Sequence, residues 1–171
     1  MLDPEIAVVG LGGNVGDVQA TFRAALAELD ASPGIHVRDV SSLYRTTPIG
    51  GPPQDDYLNA AVKVGTRLSP QQLLVRLHEI EDQFGRVRGV EDGPRTLDLD
   101  ILWWKGRAFR DRTLAVPHPR ITERRFALEP LLELVPRAGD ARRRPLRDAL
   151  DVLPDQGVTV LGPSSLVYDP T

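Results

Sequence analysis

A chain of 171 residues, 41% hydrophobic and 26% charged, carries enough apolar material for one domain with a sizeable core. Its net charge of −3 excludes a global basic field for nucleic acid, and the absence of Cys excludes disulfides, thiolate metal sites and a Cys nucleophile while fitting a reducing cytoplasm. No apolar run reaches membrane-spanning length, and the acidic start Met1-Leu2-Asp3-Pro4-Glu5 lacks the basic-then-apolar pattern of a signal peptide.

Ile6 to Gly10 reads as a buried first strand. It runs into Gly10-Leu11-Gly12-Gly13-Asn14-Val15-Gly16-Asp17, a glycine-rich turn whose Asp17 can N-cap a helix with Val18, Phe22, Leu26 and Leu29 on one face. Strand, turn and helix invite a dinucleotide reading. However, position 15 is Val where Gly-x-Gly-x-x-Gly needs glycine, and no regular βαβ alternation follows. Ile35 to Tyr44 predicts a second strand, and the Gly/Pro-rich segment 45–56 a long loop of the kind that is either functional or disordered. In the next strand Leu58, Ala60, Val62 and Val64 form the core face, which leaves Tyr57 and Asn59 together on the other. That pair suits a flat heterocycle, one side chain stacking and one hydrogen bonding, or else belongs to a solvated sheet face.

Ser69-Pro70-Gln71-Gln72 predicts a helix with a capping box, packing Leu73, Leu77, Ile80 and Phe84 and stopping at Gly85. Arg86 and Arg88 follow, either complementing the helix dipole or, with Arg95, clamping a triphosphate. The most informative stretch is Gly93-Pro94-Arg95-Thr96-Leu97-Asp98-Leu99-Asp100-Ile101-Leu102. Strand alternation puts Leu97, Leu99 and Ile101 on one face and Asp98 and Asp100 side by side on the other. Adjacent carboxylates near a packed sheet repel and cost desolvation, which a divalent cation relieves. Oxygen ligands alone point to a hard ion such as Mg²⁺, the alternative being a solvated acidic face on an edge strand. Trp103 is expected to continue the core face, and His118, flanked by Pro117 and Pro119, is by itself an ordinary loop residue. Arg142-Arg143-Arg144 reads as a solvated turn, Leu146 to Leu153 as a short helix, Val158 to Leu161 as an edge strand, and residues 161–171 as a loose tail.

The decamer Gly93 to Leu102 resembles the signature of the 6-hydroxymethyl-7,8-dihydropterin pyrophosphokinases of the folate pathway. Further segments are similar to that family in the same order. They are the Gly-x-Asn-x-Gly-Asp segment, Tyr44-Arg45-Thr46 with Tyr57-Leu58-Asn59-Ala60-Ala61-Val62, the Arg86 and Arg88 loop, and Val116-Pro117-His118 with Arg124 and Phe126. The order strand–helix–strand–strand–helix–strand is that of an α+β, ferredoxin-like split βαβ domain, mainly antiparallel with helices packed on the sheet, and the family has that fold. The resemblance implies one domain over residues 1–171 that transfers pyrophosphate from ATP to the hydroxymethyl group of the pterin, releasing AMP. It implies two Mg²⁺ held by Asp98 and Asp100, with Arg86 and Arg95 joining them in catalysis. Glu81, Arg86, Arg88, Arg95, Ile101, His118 and Arg124 would lie at the nucleotide. Thr46, Thr47, Ile49, Tyr57, Asn59 and Phe126 would line the pterin pocket, with the glycine-rich turn nearby. No general base is evident. Thr47, Thr113, Ala115 and Pro119 depart from residues common in the family, and the loop before Gly93 is shorter and has Asp92 where an aromatic is common. The expected protein is a cytoplasmic monomer without nucleic-acid or membrane partners. A different Mg²⁺-dependent phosphoryl or nucleotidyl transferase, or a non-catalytic ferredoxin-like binding module, remain as rival readings.

Overall fold

A computed structural model describes residues 2–87 and 93–169. The chain runs β1 (Glu5–Gly13), α1 (Val18–Ala31), β2 (Ile35–Val40), β3 (Leu43–Thr46), β4 (Tyr57–Thr66), α2 (Pro70–Gln83), β5 (Asp98–Trp104), β6 (Phe109–Arg110), β7 (Ala115–Val116), α3 (Arg125–Leu134), α4 (Leu146–Val152) and β8 (Val158–Gly162). The main sheet has the order β5-β1-β4-β3-β8, with β2 also paired to β4, and every pairing is antiparallel. This is the expected split βαβ plan, with β1 and β4 central because each is long and carries consecutive apolar residues, Ala7-Val8-Val9 and Ala60-Ala61-Val62, that are buried on both faces.

The two faces bury separate cores. Phe22, Leu26 and Leu29 of α1 and Leu73, Leu77 and Ile80 of α2 pack on Val9, Leu11, Val62, Leu99 and Ile101. On the opposite face Leu128, Leu131 and Leu132 of α3 and Leu146 and Leu150 of α4 pack on Val8, Ala61, Leu102 and Trp103. The helix starts follow their sequences: Asp17 accepts the Ala20 N–H at 3.1 Å, and Ser69 and Gln72 form the reciprocal capping box. At the end of α2, Gly85 N–H donates to the Asp82 carbonyl and Arg86 N–H to the Glu81 carbonyl, a Schellman closure that turns Arg86 back over the helix end.

Four expectations are corrected. The glycine-rich segment is not a turn from Gly10 onward, since β1 continues to Gly13, paired to β5 as far as Gly12 and to β4 throughout. The second strand is two strands, because Ser41 Oγ takes the Ala61 N–H at 2.8 Å and interrupts the ladder between β2 and β3. Trp103 leaves the Ile101 face because Leu102 has no partner in β1. This bulge flips the alternation and gives the Ile101 face to Trp104. The tail also packs, with Val167 0% exposed in the α1/α2 core after a 3-10 turn, Ser164–Leu166.

Candidate active site

The site grows from cross-strand register. Gly12 of β1 pairs with Asp98 on one side and Asn59 on the other, and Asn59 pairs in turn with Tyr44 of β3. One row to one side Gly10 stands between Asp100 and Ala61, and one row to the other side Tyr57 pairs with Thr46. Directly paired residues share a face. Asp98, Asp100, Tyr57, Asn59 and Thr46 therefore project from the same face, beyond the part that α3 and α4 cover. Glycine at 12 leaves the floor bare where it matters: a Cβ there would stand 3.1 Å from Asn59 Nδ2. A cavity of about 300 Å³ opens over this floor, walled by Thr46, Tyr57, Asn59, Phe126, Arg95 and Asp98.

At its neutral end the polar groups are held by neutral partners. Thr46 Oγ1 donates to Asn59 Oδ1 at 2.7 Å, and Asn59 is only 7% exposed. Fixing the amide oxygen leaves the NH₂ edge to point across the floor. The Tyr57 hydroxyl lies 2.8 Å from Gln54 Oε1 and 2.9 Å from the Gly93 carbonyl, which fixes its ring as a wall. Arg124 stands 5.5 Å over the Phe126 ring, holding that second aromatic in place. Thr47 and Ile49 also line the cavity, with Ile49 72% exposed at its mouth.

At the other end, charge meets charge. Arg86 bonds Asp98 Oδ1 and also donates to Glu81 Oε2 at 2.8 Å, while Arg95 donates to Asp98 Oδ2 at 3.0 Å. Burial works against the Asp98 charge, yet Arg86, by hydrogen bond and charge, and Arg95 hold its carboxyl below the usual range. Asp100 makes no hydrogen bond or salt bridge among the described residues. Burial, then the charges of Asp98 and Glu81, push it up to about 7. A buried carboxylate beside another and lacking a partner is what a divalent cation would relieve, and the oxygen-only donor set suits magnesium. Asp98 and Asp100 are thus fit to hold it. No cluster of three or more His, Asp or Glu capable of enclosing a metal occurs among the described residues, so a ligand's oxygens would complete the shell.

The remaining expected residues fall in different places. Glu81 is 2% exposed and underlies the site, accepting the Leu99 N–H at 2.9 Å as well as Arg86. Ile101 is 2% exposed with its side chain in the α1/α2 core, so only its main chain, on the edge strand β5, is left for a nucleotide. His118 is pinned beside that edge by its N–H on the Leu102 carbonyl, and its Nδ1 accepts the Arg120 N–H at 3.1 Å. Burial, then Arg124, lowers its pKa, so the ring is neutral with its proton on Nε2. Arg88 lies outside the described residues.

Sequence reasoning missed several contributors. Asn14 donates from Nδ2 to Gln54 Oε1 and the Asp55 carbonyl and accepts the Arg95 N–H at 3.0 Å. It thereby joins β1, the 47–56 loop and the Gly-Pro-Arg turn. Gly12 shares the parity of Val8, and that period could have revealed it as cleft floor, while Gly10 on the same face lies under the Leu102 side chain. Glu123 and Gln156 also line the cavity, and no local signal marks them.

A family model described as 7,8-dihydro-6-hydroxymethylpterin-pyrophosphokinase (HPPK) matches residues 8–136. The chain is 46% identical over 136 residues to the 2-amino-4-hydroxy-6-hydroxymethyldihydropteridine pyrophosphokinase of Synechocystis, covering 80% of this chain and 69% of that protein. It is 44% identical over 129 residues to the Bacillus subtilis enzyme of the same name, covering 75% and 77%. The folic acid synthesis protein fol1 of Schizosaccharomyces pombe is 39% identical over 155 residues, which are 90% of this chain and 21% of that much longer one. The crystal structure of an HPPK-DHPS in complex with substrates shares the fold, with TM-score 0.70 at 12% identity, covering 93% of this chain and 47% of that one. The chain belongs to the HPPK family, and its activity is pyrophosphate transfer to hydroxymethyldihydropterin, a step of folate biosynthesis.

Proposed function

We propose that the cleft performs this transfer with ATP as donor and AMP as leaving group, the triphosphate lying over Asp98 and Asp100 and the pterin between Tyr57 and Phe126. The observation that carries the reading is the single sheet face on which the carboxylate pair, the bare Gly12 floor and the Tyr57–Asn59 wall adjoin. Two magnesium ions at Asp98 and Asp100 would supply charge neutralisation and a template for the phosphates. The hydroxymethyl oxygen bonds to the β-phosphorus, the bond from that phosphorus to the α–β bridging oxygen breaks, AMP leaves with the electron pair, and the hydroxyl proton passes to solvent. Asn59, held by Thr46, presents its amide to the ring edge of the pterin, and the tethered Tyr57 ring fixes the plane. Thr47 and Ile49 close the mouth of that pocket.

Arg86 and Arg95 neutralise Asp98 in the free protein and become available to phosphate oxygens as the carboxylate is neutralised otherwise. Arg86 pivots on Glu81, which acts through it rather than on the nucleotide. Arg88, Arg124, His118 and the Ile101 main chain would complete the nucleotide side. Positioning and electrostatics carry the rate, with no dedicated base. We further read residues 1–171 as one domain and the protein as a cytoplasmic monomer, in line with a Cys-free sequence. Among the described residues no helix is long and apolar enough to cross a membrane.

Product analysis with MgATP and 6-hydroxymethyl-7,8-dihydropterin tests the reading. Pterin-dependent AMP without ADP is expected. ADP would indicate a different phosphoryl transfer, and neither turnover nor metal-dependent nucleotide binding would indicate a binding module.

A further inference from the structure

The helix α3 begins at Arg125 with no side-chain cap from its own N-terminal segment. Helix starts leave main-chain N–H groups without intrahelical partners, and an uncapped start next to a binding cavity is poorly fixed. Here the acceptor comes from 31 residues downstream: Gln156 Oε1 takes the Arg125 N–H at 2.9 Å. The other half of the same amide, Nε2, donates to the Glu123 carbonyl at 2.9 Å. One carboxamide therefore grips the main chain on both sides of Arg124, at Glu123 and at Arg125, the residue just before Phe126. The grip is stiffened from behind, because the Arg125 guanidinium donates to the Pro154 and Leu153 carbonyls at 2.7 and 2.8 Å.

The next residue reaches the opposite wall. The Gly157 carbonyl accepts the Thr47 N–H at 3.2 Å, and Asp155 Oδ1 caps the turn by taking the Gly157 N–H at 2.8 Å. Gly157 has φ +71, and a Cβ there would lie 3.0 Å from Thr47 Cβ, so any other residue would be strained in conformation and crowded against Thr47. The turn 155–157 thus touches both walls of the cavity, and Gln156 itself lines it. It lies beyond residues 8–136, where the family model matches.

We infer that Gln156 is a positioning residue for pterin binding, the centre of a clasp by which the 155–157 turn sets the spacing between the 46–50 loop and the Arg124–Phe126 segment. The inference rests on the pocket assignment made above. It acts chiefly on the pterin end and meets the nucleotide side only through the main chain flanking Arg124, since no bond from this turn reaches Asp98, Asp100, Arg86 or Arg95 among the described residues.

The test compares wild type with Gln156→Ala, Gln156→Glu and Gly157→Ala in steady-state kinetics and in amide hydrogen exchange. Gln156→Ala is expected to raise the pterin KM about tenfold, the effect of two lost hydrogen bonds, with the MgATP KM changed less than about twofold. Gln156→Glu keeps the acceptor for Arg125 N–H and loses the donor to Glu123, so it should fall between. Exchange at 122–127 should quicken in Gln156→Ala, and at 46–50 in Gly157→Ala, while α2 stays unchanged. An unchanged pterin KM, equal rises in both KM values, or unaltered exchange at 122–127 would overturn the clasp. If wild type forms no pterin-dependent AMP, the pocket assignment fails instead, and the exchange pattern still decides whether the clasp exists. Should Gln156→Ala not fold, the Gln156→Glu and Gly157→Ala pair decides alone.

Discussion

The two ends of the cleft lie on either side of β1, with Asp98 and Asn59 both opposite Gly12, yet one is assembled from neutral hydrogen bonds and the other from ion pairs. Thr46, Asn59, Tyr57 and Gln54 satisfy one another at the neutral end. At the charged end Arg86 and Arg95 share Asp98, and Asp100 stands beside them without a hydrogen bond or salt bridge among the described residues. A neutral network of buried groups is already in its binding geometry and needs only to be filled. A charge-saturated one must exchange partners when its ligand arrives, because each buried guanidinium or carboxylate set free costs desolvation until re-paired. The pocket for the flat ring is thus ready-made, while the polyphosphate end is poised between two sets of partners.

The largest effect that tests this contrast is expected from Asp98→Ala or Asp100→Ala. Either should lower kcat about a thousandfold or more, as loss of electrostatic stabilisation does, while pterin affinity measured by fluorescence stays within about twofold. Near-normal turnover in either variant would dissolve the distinction between the ends. The next largest effect is at the other end. Tyr57→Ala or Asn59→Ala should raise the pterin KM by about ten- to a hundredfold and leave the MgATP KM nearly constant. A matching loss of nucleotide affinity would show that the ends are not separate.

Asn14 sharpens the comparison because it bonds to both ends, through Gln54 and through Arg95. Asn14→Ala should raise both KM values several-fold and cost about 1–3 kcal/mol in urea unfolding by leaving buried partners unmet. A change in only one KM would mean that it serves one end. The smallest effect concerns pH. His118 is held neutral by burial and by Arg124, so its folded pKa lies below the unfolded value near 6.5. Its contribution to stability is therefore complete above that value and is lost as pH falls, since the unfolded chain binds the proton more readily. Urea midpoints at pH 7.5 and 5.5 should fall less in His118→Gln than in wild type. An equal fall would remove His118 from the acid response.

The features legible in the sequence were those with short-range causes. Period-two alternation placed Asp98 with Asp100 and Tyr57 with Asn59, and the caps at Asp17 and Ser69 followed from residues three positions apart. The illegible features depend on partners far along the chain. Gly10 and Gly12 read as a turn because glycine signals turns locally, and only β4 and β5 on either side show that they belong to a strand. Ser41 breaks a strand by bonding to Ala61 twenty residues on, and Gln156 caps a helix that starts thirty-one residues earlier. The burial of Glu81 depends on how α2 meets β5, which no single segment encodes.

The unpaired Leu102 in β5 has a consequence for how the protein tolerates change. It divides the strand into two registers, with Ile101, Asp100 and Asp98 counted from Val9 to Gly12 and Trp103 and Trp104 counted from Val8 and Ala7. The exposed residues 105–108 that follow Trp104 can therefore gain or lose a residue without moving either tryptophan or the register before the bulge. The carboxylates keep their place opposite the glycines. Insertions between Trp104 and Phe109 should accumulate freely over generations of divergence, whereas a single residue added between Asp98 and Ile101 would turn one acid into the core.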